Sequence, residues 1–249
     1  MFNSKVEREE FLSFLANEIK REDNEMNVFW YGSSIYSNNC NDIDLMFIRN
    51  RQPYSIEIRN SIIELKKSIF HPHHSGFLIK NGEKIEAIVN HCLNSYNLND
   101  IKVKFIFGPL GNINFDKSYL HIKGVISFTD FKCFSNYFPY HAKSIINNNI
   151  HLLGDIDLNE LNSQIHLTIE ELFLWAEILK RRLEDSKKLN VKKKCLLRLK
   201  YMIDMYKGNF SLMNCNYNLH DESKSSCIDV KFQNIYKELK HEFRTPKIP

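Results

Sequence analysis

No stretch of this chain approaches the roughly 20 consecutive apolar residues that a membrane span requires, and Met1-Phe2-Asn3-Ser4 runs into charged positions, not into the apolar centre of a signal peptide. The expectation is a cytoplasmic protein with no membrane partner. Metal-ligand spacing is also missing. Cys40, Cys92, Cys133, Cys195, Cys215 and Cys227 are scattered without close pairs, which gives no zinc site and fits reduced thiols. Nor does charge of one sign dominate: a formal net charge of +4 over 249 residues is too mild to demand a nucleic-acid partner. The basic excess in residues 180–200 and 237–247 would still favour an anionic substrate. No internal repeat is evident, and the length suits one large domain or two modest ones.

What is present is concentrated between residues 28 and 48. The apolar run Val28-Phe29-Trp30-Tyr31 ends in Gly32-Ser33, and Asp42-Ile43-Asp44-Leu45 follows after residues 34–41. In an extended strand, alternate side chains share a face, so Asp42 and Asp44 point together while Ile43 and Leu45 enter a core. Two carboxylates so close repel each other unless a cation lies between them. Mg²⁺ suits such a pair, because it takes hard oxygen ligands and keeps positions for water and substrate phosphates. Glycine in a tight turn brings backbone amides near a ligand, and such a turn forms a concavity for phosphate. Asp155-Ile156-Asp157-Leu158 repeats the acidic string but has no Gly-Ser turn upstream, and it reads as a turn or helix start.

Gly32-Ser33 with Asp42-Ile43-Asp44 resembles the signature of the DNA polymerase β-like nucleotidyltransferase superfamily, the minimal and antibiotic nucleotidyltransferases among them. That resemblance implies an α+β fold in which a mixed sheet with flanking helices is followed by a mainly helical C-terminal region. It also implies transfer of a nucleoside monophosphate from an NTP, with ATP the expected donor, to a hydroxyl acceptor. Two Mg²⁺ ions, or Mn²⁺ in their place, would be held by Asp42, Asp44 and a third carboxylate on a neighbouring strand, with Gly32 and Ser33 orienting the phosphates. Glu86, in Ile85-Glu86-Ala87-Ile88-Val89, is the candidate for the third carboxylate, with Asp116 behind it; residues 34–41 contain no Arg or Lys to hold a triphosphate. A small hydroxylated acceptor is expected from the compact, mildly basic chain. Transfer to a protein or RNA is the alternative acceptor class, and an antitoxin-like or regulatory nucleotide-binding protein without turnover is the rival function.

Along the chain, apolar spacing predicts a helix over 5–20, strands at 28–31 and 42–48, and a helix opened by Pro53 and running to about 70. Asn81-Gly82 between apolar runs predicts a hairpin over 76–89, although 82–93 also fits a helix. The acid-free segment 103–107 reads as a strand. Thr168-Ile169-Glu170-Glu171 predicts a cap for a helix to about 183, followed by helices near 191–206 and 230–243. The expected division is a catalytic domain over 1–150 and a helical domain over 151–249. The aromatics between 115 and 140 read mainly as core, His71-Pro72-His73-His74 as a loop, and Lys192-Lys193-Lys194 as a solvated helix face. His141, Lys143, Glu170, Glu171 and Glu177 are weaker candidates for contact with an acceptor.

Overall fold

The computed structural model describes residues 5–35, 42–50, 60, 62–63, 66–67, 83–98, 100–105, 114–115, 118–119, 125–209 and 225–244. The chain divides into two units, Met1–Ile165 and His166–Pro249. Helix α1 (Lys5–Glu22) leads to strand β1 (Met26–Tyr31), a single 3₁₀ turn (Ser33–Ile35) and strand β2 (Asp42–Arg49). Helix α2 (Glu83–Ser95) precedes β3 (Lys102–Phe105), the short pair β4 (Asn114–Phe115) and β5 (Ser118–Tyr119), and then β6 (Val125–Ser127). Helices α3 (Phe128–Tyr137) and α4 (Pro139–Asn147), strand β7 (Asn149–Leu153) and the short α5 (Asn159–Asn162) complete the first unit.

The sheet is mixed, so the architecture is α+β. β1 lies between β2 and β7 and is antiparallel to both, while β3 and β6 run parallel to β2 along its other edge, one beside its first half and the other beside its last residues. Every residue of β1 is buried. Strand alternation then divides the core: Val28, Trp30, Ile43, Leu45 and Phe47 pack with Phe11, Leu12, Leu15 and Ile19 of α1 and Ile85, Val89, Cys92 and Leu93 of α2. Phe29, Met46 and Ile48, the alternate residues, are buried on the opposite side. Each fully buried side chain of this size contributes about 1.5–3 kcal/mol. Arg8 is buried with its guanidinium 5.1 Å above the Trp30 ring, and Arg49 Nε donates to Asp23 Oδ2 at 2.6 Å, tying the end of β2 to the end of α1.

Residues 83–95 are a helix and not the second arm of a hairpin. Ile85, Ile88, Val89, Cys92 and Leu93 recur at spacings of three and four, which lines one face of a helix and would scatter across both faces of a strand. Residues 76–82 of the expected hairpin lie outside the described residues. So does most of the helix expected after Pro53, although residues 60, 62, 63, 66 and 67 are helical and Ile62 is buried.

The first unit extends to Ile165; β7 pairs with β1, and the segment after β7 is tied back to β1. Asn27 Oδ1 accepts the backbone N–H groups of Asp155 at 2.7 Å and Ile156 at 2.8 Å. Gly154 permits this clasp: its φ is +100°, and a β-carbon there would overlap Asn27 Oδ1. The second acidic string is therefore a turn entering α5, where Asp157 Oδ1 accepts from the Asn159 N–H at 2.8 Å. Phe131, Phe134, Phe138 and Tyr140 are core residues, as their density suggests.

The second unit consists, among the described residues, of α6 (Ile169–Asp185), α7 (Leu189–Tyr206) and α8 (Ser225–Arg244), each packed on the other two. Thr168 Oγ1 caps α6 by accepting from the Glu171 N–H at 3.2 Å. Lys192 of α7 pairs with Asp229 of α8 at 2.7 Å. No described helix is long and apolar enough to cross a membrane. Cys92, Cys133, Cys195 and Cys227 form no disulfide, and burial, with Glu18 nearby, pushes the Cys92 thiol up to about 11.

Replacing Asn27 with Ala leaves two backbone N–H groups without their acceptor. The expected cost is about 2 kcal/mol of unfolding free energy in urea, whereas Glu86→Gln on the exposed face of α2 should stay within about 0.5 kcal/mol.

Candidate active site

The turn after β1 is built from both sides. Trp30 Nε1 donates to Ser34 Oγ at 2.8 Å, a buried bond that fixes the 3₁₀ turn onto the strand it leaves. Gly32 has φ +87°, in the left-handed region that other residues adopt at a cost. A β-carbon at Gly32 would overlap Asp44 Oδ2 and lie 3.2 Å from Asp44 Cγ. Glycine is thus required twice, for the backbone angle and for the carboxylate laid against it. Ser33 and Asp42 are described by their backbones alone: Ser33 opens the 3₁₀ turn and Asp42 opens β2. β2 is extended from Asp42 through Asp44, which is the condition for the two acids to share a face.

Asp44 is the register partner of Tyr31 across the antiparallel ladder. Its position alternates with Ile43 and Leu45, so it lies on the face opposite α1 and α2, on the side of Met46 and Ile48. Tyr31 is buried, and its phenol is raised well above its ordinary 10.0, first by burial and then by the negative charge of Asp44.

Gly32 and Asp44 are therefore brought together, and the backbone carries Asp42 and Ser33 to the same end of the sheet. Glu86 is not brought there. It is exposed on α2, and α2 covers the Ile43, Leu45 and Phe47 face, so the sheet separates it from Asp44. Among the described residues no cluster of three or more His, Cys, Asp or Glu side chains is placed to hold a metal ion. Asp116 lies outside the described residues, as do His71, His73 and His74. The metal question at this site thus concerns Asp42 and Asp44: a carboxylate seated over a side-chain-free turn is compatible with a hard cation on one side and turn amides facing phosphate on the other.

Of the weaker candidates, Lys143, Glu171 and Glu177 make structural contacts. Lys143 Nζ donates to the carbonyls of Asn162 at 3.0 Å and Ile165 at 3.4 Å, and burial lowers its pKa. His141 is buried in α4, Glu171 lies at the α6 cap, and Glu177 accepts from the Tyr236 hydroxyl. Glu170 lies in the first turn of α6. Sequence reasoning passed over β3 because it contains no acid. Yet its register sets Lys102 beside Asp42 and Lys104 beside Asp44. Lys102-Val103-Lys104 has the same two-residue period as Asp42-Ile43-Asp44, and that shared period was the available signal.

Gly32→Ala should destabilise the first unit by about 1–3 kcal/mol through the backbone angle and the overlap with Asp44. Only the overlap is relieved in an Asp44→Ala background, so a double-mutant cycle read by urea unfolding should show a smaller cost there. Tyr31 supplies a pH test. Its folded-state pKa is raised, so above pH 10 the unfolded chain releases a proton that the folded chain retains, and stability falls as pH rises. Tyr31→Phe should show a shallower alkaline loss than the wild type in chemical denaturation.

No family model, curated protein or solved structure matches this chain, and the chemistry of the site rests on its own residues.

Proposed function

We propose that this chain is a Mg²⁺-dependent nucleotidyltransferase of the cytoplasm, moving a nucleoside monophosphate from an NTP, with ATP the expected donor, to a hydroxyl of a small acceptor and releasing pyrophosphate. One observation carries the reading: the carboxylate of Asp44 lies against Gly32, joining an acid that suits a hard cation to a turn that suits a phosphate. A mixed α+β sheet followed by a helical unit is the coarse architecture that the nucleotidyltransferase-like fold requires.

Asp42 and Asp44 would hold the metal, with Mn²⁺ able to substitute. Bound Mg²⁺ supplies positive charge that lowers the pKa of the acceptor hydroxyl and offsets the charge that accumulates on departing pyrophosphate. The protein's own part is position. The backbone amides after Gly32 and the Ser33 hydroxyl would orient the β and γ phosphates. That leaves the α-phosphorus open to in-line attack by the acceptor oxygen, with the bond from the α-phosphorus to the bridging oxygen breaking opposite. Trp30 and Tyr31, the last strand residues before the turn, are buried, and the Trp30 hydrogen bond to Ser34 anchors the turn.

A nucleotide-binding protein without turnover is the second reading, favoured by the placement of Glu86 behind the sheet. Asp42→Asn and Asp44→Asn should each lower Mg²⁺-dependent pyrophosphate release by at least about two orders of magnitude, with circular dichroism unchanged. Full activity in either variant rules out these ligands. A wild-type chain that binds a nonhydrolysable NTP analogue but releases no pyrophosphate with any acceptor pool supports the second reading.

A further inference from the structure

We infer that Lys102 and Lys104 of β3 form the phosphate grip of this site, in place of the basic residue that the turn after β1 lacks. The inference rests on the nucleotide-binding reading above and names the residues that complete it.

The need comes first. A triphosphate beside Asp42 and Asp44 gathers negative charge in one place, and residues 34–41 offer no Arg or Lys against it. A fixed cation must come from elsewhere if the phosphates are to be held in one orientation.

The topology supplies two. β2 and β3 run parallel, with Asp42 in register with Lys102, Ile43 with Val103 and Asp44 with Lys104. Both strands begin at the end of the sheet where β1 finishes, because Tyr31 is in register with Asp44. One sheet end therefore gathers the Gly32 turn, the two acids and the two lysine positions. Val103 packs against the α1 and α2 core together with Ile43 and Leu45. Strand alternation then sets positions 102 and 104 on the face that Asp44 shares. Lysine suits this role because its ammonium is a compact charge with three donors, able to meet phosphate oxygens without the planar geometry arginine imposes.

Three basic side chains described near the sheet are committed elsewhere. Arg8 lies over Trp30, Arg49 is paired with Asp23, and Lys143 is held by two carbonyls. In the second unit Lys192 is paired with Asp229.

The test uses the full chain and measures binding, not turnover. Calorimetry would follow Mg²⁺ with inorganic tripolyphosphate, and Mg²⁺ with nonhydrolysable analogues of the four NTPs, for the wild type, Lys102→Met, Lys104→Met and Lys104→Arg. Direct Mn²⁺ binding would be read by electron paramagnetic resonance on the same samples. Each Met variant should bind tripolyphosphate and the preferred analogue about tenfold more weakly. Each should also reduce the slope of log affinity against log salt by about one. Lys104→Arg, which keeps the charge, should lose much less, and Mn²⁺ binding without phosphate should persist in all variants. If the Met variants bind tripolyphosphate as the wild type does while Asp44→Asn loses Mn²⁺, the lysine grip is wrong and the metal site stands. Met variants that bind Mn²⁺ far more tightly with tripolyphosphate affinity unchanged show lysines that merely neutralise the acids, and this also overturns the grip. A wild-type chain that binds neither tripolyphosphate nor any analogue overturns the nucleotide reading and the grip together.

Discussion

Asp44 reaches the turn that follows β1 only because residue 32 has no side chain and accepts a left-handed backbone angle. Every feature of the candidate site follows from that close approach. The antiparallel register between β1 and β2 places Asp44 across from Tyr31, one residue before the glycine. The Trp30 to Ser34 hydrogen bond then prevents the turn from swinging away. The acid is thus fixed on a strand and the turn is anchored to the strand it leaves, which is the more rigid way to hold a candidate site.

The sheet divides its labour between faces. On one, α1 and α2 bury Val28, Trp30, Ile43, Leu45 and Phe47 in a continuous apolar core. On the other, the same strands present Tyr31 and Asp44, so each strand serves stability and the candidate site with alternate residues. A shift of one residue in β2 would send Asp44 into the core and Ile43 toward the turn, so the apolar face enforces the register that the site requires. On the far side of β1, β7 and the Asn27 clasp cover what would be an open edge beside the central strand. The clasp depends on a second glycine, Gly154, for the same steric reason as the turn depends on Gly32.

Ionic groups that look functional in a linear reading have structural employment. Lys143 secures the chain between α5 and the end of the first unit through two backbone carbonyls. Lys192 joins α7 to α8 through Asp229, and Glu177 meets Tyr236 between α6 and α8. Partly buried charges and hydroxyls need such partners, because an unpaired polar group removed from water is costly. The charges that remain informative about chemistry are the ones that topology gathers at one end of the sheet.

Much of this was legible because it is local. The period of apolar residues in 5–20, 169–183 and 191–206 announces helices, Thr168 announces a cap, and the alternation around Asp42-Ile43-Asp44 announces a strand with one apolar face. Glycine before a 3₁₀ turn was equally readable. The segment from Ile85 to Leu93 was ambiguous, because a short apolar run with an Asn-Gly pair before it also suits a hairpin; its spacing of three and four suits a helix, and its packing against α1 uses that face. The position of Glu86 turns on that choice: a glutamate on a strand beside β2 and one on the solvent side of a helix across the sheet have the same neighbours in sequence. The neighbouring positions of Lys102 and Lys104 with Asp42 and Asp44 left only a shared two-residue period in the sequence, since more than fifty residues separate them along the chain and only the β2 to β3 register joins them. Sequence alone determined elements such as α1, β1, β2, α6 and α7 and the need for a glycine at the turn after β1, because those depend on a residue and its nearest neighbours. Tertiary structure decided which face of the sheet each segment covers and which charges meet, because pairing between strands is set by burial summed over the whole core.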